Sequence, residues 1–319
     1  MMPTLRQLEY LVSLAETGQF IEAARQCAVS QPALSKQIRE VEEMLGLLLF
    51  ERARPKVLLT PAGKELLVRA KSLLAAAREF EEAARVLSGA HQKVVRLGVI
   101  PTIAPYGLPG FLVKLRRQFP DVSFVIRELQ TEVLLDELRA GAIDLALLAR
   151  PFDDYGLAGE DLVFEPFVLL APEGHPLSVH ETIEPAEVAG TNLILMEDGH
   201  CLRDQAIEVC ALAEQSRTTD ITAASISTLV RMVESGLGAT LLPASALRVE
   251  LRPELGLLAR SFKAERPPGR TLTLQWRQTA PNHPWLQEIA QILKDHYLAM
   301  NASMPAIAGP LPQIEALQN

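Results

Sequence analysis

Residues 61–88 carry the pattern that most restricts what this chain can become. Leu66, Ala70, Leu73, Ala77, Phe80, Ala84 and Leu87 step by 4, 3, 4, 3, 4 and 3 positions, the spacing that keeps one stripe of an α-helix turned toward a partner helix. Thr60 and Pro61 supply a cap and a first turn, and Ser88 with Gly89 an end. At about 1.5 Å per residue such a helix spans roughly 40 Å, too long to bury its stripe alone. Leu66, Leu73, Phe80 and Leu87 fill one register and the alanines the other, while Lys64, Lys71, Glu79 and Glu82 stay outside. The stripe can be covered by its own domain or by a second copy of the chain, and the small alanines at every seventh position favour a second copy. It also cuts the sequence in two, with a short module before it and a region of more than 200 residues after it.

The short module, residues 1–60, reads as three helices and a hairpin. Leu5, Leu8, Leu11, Val12 and Ala15 mark one helix, and 20–27 a second in which Ala23 and Ala24 allow close approach. Ser30 caps a third, and Pro32 sits in its first turn, where a missing N–H costs nothing. Leu34, Ile38, Val41 and Leu45 line one face of it; Gln31, Ser35, Lys36 and Arg39 line the other. After Gly46, residues 49–60 alternate apolar side chains with Glu51, Arg52, Arg54 and Lys56, a basic hairpin or wing. The module holds seven basic and seven acidic residues, so its total charge says nothing; five of the seven bases (Lys36, Arg39, Arg52, Arg54, Lys56) fall on the third helix or the wing. That is the distribution of a helix-turn-helix on a phosphate backbone, with Gln31 and Arg39 able to pair with base edges and Ser30, Pro32, Ser35 and Lys36 along the same surface.

From Val94 the pattern turns to strand and helix in alternation: strands at 94–100, 122–128 and 144–149, with helices within 105–119 and 131–140. A second set runs through strands at 164–171 and 193–196, a helix after His200, a helix at 226–235 and a strand at 239–242. A strand at 271–276 and an amphipathic helix at 284–300 close the region. Such alternation implies parallel pairing. Thr102 and Thr131 each follow a strand and suit helix caps.

Residues 197–210, EDGHCLRDQAIEVC, hold two of the chain's three cysteines. Asp198 and Gly199 make a turn, and Leu202, Ile207 and Val209 give the following helix a buried face, so Cys201 lies at a helix N-terminus. Free amides there, with Arg203 and His200 beside them, are expected to lower the thiol pKa. Cys210 is nine residues on, about 13 Å along a helix, whereas a disulfide needs Cα atoms within about 7 Å. The pair can join only if the helix unwinds. Read blandly, both cysteines are small core hydrophobes and His200 a structural histidine.

The segment 197–206 with Cys210 resembles the redox segment of the OxyR group, the peroxide-sensing branch of the LysR-type transcriptional regulators. Phe20 to Arg39, with Val29-Ser30-Gln31-Pro32, and Leu59-Thr60-Pro61-Ala62-Gly63 resemble that family's DNA-binding signature. The resemblance implies an all-α winged helix-turn-helix DNA-binding domain (1–60) plus a long linker and dimerisation helix (61–90). An α/β periplasmic-binding-protein-like regulatory domain (91–302) of two subdomains follows, I at about 91–163 and 268–302, II at about 164–267. It implies hydrogen peroxide as effector, a redox pair Cys201 and Cys210, and a polar pocket of Thr102, Thr131, His200, Asp204 and Arg270. It further implies control of oxidative-stress genes by activation, a roughly palindromic double-stranded DNA operator, a dimer or tetramer, contact with RNA polymerase, and neither cofactor nor metal. Ser227 departs from the glutamate of that group. Cys27 is expected to be a packing residue.

Composition sets the limits. The net charge of −8 argues against polyanion binding by the chain as a whole. With no membrane-length apolar run and no signal-peptide pattern, a cytoplasmic protein is expected. The tail 303–319, with prolines and no periodicity, is expected to be disordered. A regulator binding a small organic effector between the lobes, and a thiol peroxidase using the same cysteines, are the competing readings.

Overall fold

The computed structural model describes residues 2–51, 57–87, 93–188, 191–211, 217–264, 266–279, 284–307 and 309–317. Arg52, Arg54 and Lys56 of the expected wing lie outside them.

The N-terminal module contains α1 (Leu5–Thr17), α2 (Phe20–Gln26) and α3 (Gln31–Leu45). Thr4 and Gln7 form a reciprocal capping box at the start of α1, and Gly18 ends it in the left-handed conformation. Leu11, Leu14, Ala23, Leu34, Ile38 and Val41 make a common core. Strands β1 (Phe50–Glu51) and β2 (Leu58–Leu59) pair antiparallel, giving the expected hairpin. Its base is fixed by the buried Glu42, whose carboxylate accepts the amides of Leu49 (2.9 Å) and Phe50 (3.1 Å). Cys27 is half-buried against the same core, as a packing residue should be.

Helix α4 (Pro61–Leu87) runs for 27 residues. Ala70 and Leu74 are buried in the module's core and Leu66 packs against it, yet Leu73 is 56% and Phe80 77% exposed. The first turns therefore pack on the module itself, while Leu73 and Phe80 of the seam face outward.

The following region is a mixed sheet flanked by helices. Strand β3 (Lys93–Val99) leads to α5 (Ala104–Gln118), β4 (Val122–Glu128), α6 (Thr131–Arg139) and β5 (Leu145–Ala149). The sixteen-residue β6 (Leu157–Pro172) then crosses from a first lobe into a second, which contains β7 (Thr182–Ile183), β8 (Asn192–Met196), α7 (Cys201–Ala211) and β9 (Arg217–Ala223). After these come α8 (Ile226–Glu234), β10 (Thr240–Pro243), α9 (Ala244–Glu250) and β11 (Leu257–Phe262). Strand β12 (Gly269–Arg277) returns to the first lobe, followed by α10 (Pro284–Met300). The main sheet has the order β4-β3-β5-β12-β6-β11-β7. Pairing is parallel for β3 with β5 and for β8 with β9, as alternation predicts, but β10, β11 and β12 all meet β6 antiparallel. Helix α10 lies close on α5 at Gly107, where any Cβ would collide with the Tyr297 hydroxyl.

The expected disorder of 303–319 is not found in its described residues. Asn301 brackets the backbone of Ile314 with two hydrogen bonds (2.8 and 2.9 Å), and Ser261 donates to the carbonyl of Pro310 (2.8 Å). The segment ends in β13 (Glu315–Ala316), antiparallel to β6 at Phe164 and Val163. Prolines remove periodicity without preventing such long-range contacts, so local pattern was a poor guide here.

Candidate functional site

Three chain segments meet at Cys201. The first is the turn after β3, the second the start of α6, the third the turn into α7; Ile100, Pro101, Thr102, Gln130, Thr131, Gly199, His200 and Cys201 line a narrow recess. It is too tight for a water molecule until a wall gives way. Gln130 is the wall most easily displaced: half-buried, it holds the Asp198 carbonyl by one long hydrogen bond of 3.4 Å and lies over Gly199. At Gly199 φ is +88°, a conformation that favours glycine; a Cβ would also stand 2.7 Å from Oε1 of Gln130, whose side chain could give way.

Neither threonine acts as a cap. The Thr102 hydroxyl accepts from Nη1 of Arg270 (2.8 Å) and its carbonyl from Nη2 (3.1 Å). Thr131 Oγ1 is buried, has no hydrogen-bond partner of standard geometry, and lies within reach of the Cys201 sulfur. Arg270, at the start of β12, is fully enclosed and forms a pair with Glu165 of β6, its Nε and Nη2 each 2.8 Å from Oε2. The other Glu165 oxygen accepts the Ser245 amide at 2.8 Å. Both side chains are 0% exposed, so the charge on each is balanced only by the other and by these bonds.

Cys201 is the first residue of α7, as expected. Its thiol pKa, however, is raised, not lowered. Burial pushes it up and outweighs Arg270, Thr131, Thr102 and the Leu202 amide, which all pull it down. The cation beside the thiol is also different from the one expected. Arg203 turns away to Asp198 (2.8 Å) and the Met196 carbonyl (3.1 Å), and burial depresses the His200 pKa, so the imidazole is neutral near pH 7. Asp204 is exposed on the first turn of α7 and does not line the recess. Cys210 lies in the last turn of the same helix, so about 13 Å of helical rise separates the two cysteine backbones.

Helix α3 has the geometry expected of a recognition element. Ser30 Oγ accepts the Ala33 amide (3.4 Å), and Gln31, Pro32, Lys36 and Arg39 are exposed with Ser35 half-buried beside them. Lys36 is 3.7 Å from Glu40, and Arg39 Nε donates to the Ser35 carbonyl (3.3 Å), both weak, exposed contacts that a phosphate or base edge can replace.

Residues 5–64 match the bacterial regulatory helix-turn-helix protein of the lysR family, and residues 88–298 the LysR substrate binding domain. The chain belongs to the LysR family. A relative, the probable hydrogen peroxide-inducible genes activator of Streptomyces viridosporus, is 42% identical over 92% of this chain and 94% of its own length. A full-length OxyR from Pseudomonas aeruginosa, with one cysteine replaced by aspartate, superposes with a TM-score of 0.69 at 33% identity, covering 92% of this chain and 97% of that one. A hydrogen peroxide-bound OxyR mutant from Corynebacterium glutamicum, with one cysteine replaced by serine, gives a TM-score of 0.64 at 35% identity, covering 96% and 98%. This LysR-family chain is therefore an OxyR-like transcription regulator whose helix-turn-helix has DNA as its partner. Among its described residues no helix is long and apolar enough to cross a membrane.

Sequence reasoning missed Glu165. A lone acid in the apolar run around Phe164, Phe167 and Val168 was the available signal, because a buried carboxylate requires a cation.

Proposed function

We propose that the chain is a peroxide-responsive activator of oxidative-stress genes in which Cys201 is the sensor and Cys210 the resolving thiol. The observation that carries this reading is the Cys201 recess: one thiol lies against two threonine hydroxyls, the His200 ring and the charge of an enclosed arginine, in a space that must open before even a small molecule enters. Hydrogen peroxide both donates and accepts hydrogen bonds and matches such a lining.

The Cys201 thiolate attacks one peroxide oxygen, the O–O bond breaks, and the sulfur loses two electrons to become a sulfenic acid. The departing hydroxide takes the proton the thiol gave up and leaves as water. Cys210 then attacks the sulfenic sulfur, forming the disulfide and releasing a second water. Because both cysteines start on α7, this second step requires the helix to unwind, so the bond and the conformational change form together. Two copies joined along Leu73, Ala77 and Phe80 of α4 would hold two α3 helices for a roughly palindromic operator, with winged contacts from Arg52, Arg54 and Lys56. A tetramer and contact with RNA polymerase complete the reading.

Intact-mass spectrometry after a stoichiometric peroxide pulse, with a sulfenic-acid trap, tests it. Wild type should lose two hydrogens. Cys201→Ser should be inert, Cys210→Ser should be trapped as sulfenic acid, and Cys27→Ser should behave as wild type. A Cys210→Ser protein whose Cys201 stays reduced would return the recess to a structural role.

A further inference from the structure

The buried Glu165 is used by nothing so far described. It sits in β6 opposite Arg270 in register, accepts a hydrogen bond from Nε of that guanidinium at 2.8 Å with Nη2 in ion-pair contact at the same distance, and is itself pinned by the Ser245 amide at 2.8 Å. A guanidinium is a rigid plane with its donors in fixed directions. Once Nε and Nη2 are committed to Oε2 of Glu165, Nη1 has one direction left, and it points at the Thr102 hydroxyl. That hydroxyl then has one lone pair occupied by a donor, and Nη2 occupies the Thr102 carbonyl as well. Its own hydrogen remains free to donate, and the Cys201 sulfur lies within hydrogen-bond reach of it.

We propose that Glu165 is a positioning residue for the Cys201 site: by fixing the Arg270 plane it makes Thr102 a hydrogen-bond donor to the sulfur. The inference rests on Cys201 being the reactive thiol. Glu165 touches neither the sulfur nor the recess lining; its whole influence runs through Arg270 and Thr102. Two backgrounds face the relay. Thr131 and the Leu202 amide act on the sulfur from α6 and α7, His200 lines the recess beside it, and the Tyr297 hydroxyl of α10 faces the Glu165 and Arg270 charges while making no hydrogen bond of its own. None of them is altered by the substitutions below.

The test uses the full chain and a thiol-alkylating reagent, iodoacetamide, so that it does not depend on peroxide chemistry. The pH midpoint of Cys201 alkylation is measured in the Cys27→Ser, Cys210→Ser background, with operator binding and thermal melting followed in parallel. Glu165→Ala should raise the midpoint by about one pH unit, a tenfold loss of alkylation rate at fixed pH below it. Arg270→Ala should raise it at least as far, and the double variant should be no worse than Arg270→Ala alone, because the two side chains form one path. Glu165→Gln keeps a neutral acceptor for the guanidinium and should bring the midpoint back to the wild-type value or below it. An unchanged midpoint in Glu165→Ala, additive shifts in the double variant, or a Glu165→Gln midpoint above wild type would each overturn the proposal. If Glu165→Ala does not fold, the Glu165→Gln midpoint decides alone. If the relay holds while peroxide leaves Cys201 untouched, the peroxide reading fails and the positioning role stands.

Discussion

At the scale of single residues, the Cys201 environment is a contest between burial and four favourable contacts, and burial wins in the closed recess. The pH dependence follows. The reactive thiolate is a minority species at neutral pH, so the peroxide oxidation rate should climb through pH 7 and continue to climb beyond the ordinary thiol range. Thr131→Val offers a clean perturbation because Oγ1 has no other partner to strand. Hydrogen bonds to charged groups are worth about 1.5–3 kcal/mol, so oxidation at pH 7 should slow by roughly tenfold or more while thermal stability stays level or rises slightly; stopped-flow oxidation and calorimetry read the two. Equal losses of rate and stability would mean that the threonine merely holds α6 in place. Cys201 and His200 could be picked out from the local pattern at the start of a helix, whereas Thr102, Thr131 and Arg270 entered only through the resemblance to the OxyR group, the local pattern giving the threonines as caps. Which cation reaches the sulfur could not be picked out locally. Arg203 is two residues from Cys201 and Arg270 sixty-nine, and only the fold reverses that proximity.

Among the elements, the proposed mechanism places opposing demands on α7: stable enough to keep the cysteines apart and weak enough to open. Glu208 is exposed on it, so replacement by glycine changes helix propensity without removing core. The Glu208→Gly helix should be weaker by about 0.5–1 kcal/mol, and the step from sulfenic acid to disulfide should quicken roughly two- to fivefold. Quench-flow mass spectrometry resolves that step, and a rate unchanged from wild type would mean that opening of α7 does not limit it. The helices of the N-terminal module could be placed from sequence because caps and glycines punctuate them; Ser30, Pro32 and Gly46 stand where α3 begins and ends. Strands β9 and β11 were missed. The first reads Arg-Thr-Thr-Asp-Ile-Thr-Ala, and the second is interrupted by Arg260, whose Nη1 donates to the Ala259 carbonyl at 2.9 Å, a partner invisible to a hydropathy pattern. The alternation implied parallel pairing and said nothing of the antiparallel strands, for a related reason. Strand β12 returns from a distant part of the sequence and runs against both neighbours, β5 and β6.

For the whole molecule, the outward half of the α4 seam is the feature with the largest consequence for assembly. Phe80 is more exposed than a lone chain should leave an aromatic, and Phe80→Glu would place a charge on each side of the proposed two-helix contact. Sedimentation should show a smaller assembly and operator affinity should fall, while circular dichroism stays unchanged. A Phe80→Glu protein of wild-type size would locate the subunit contact elsewhere.

The strand pairing of Glu315 and Ala316 with Phe164 and Val163 joins positions about 150 residues apart. On a ribosome adding about 5–20 amino acids per second, Val163 and Phe164 are made on the order of ten seconds or more before their partners. During that interval one edge of the strand that carries Glu165 is without this neighbour, and Arg270, the partner of the Glu165 carboxylate, is itself made about a hundred residues after it.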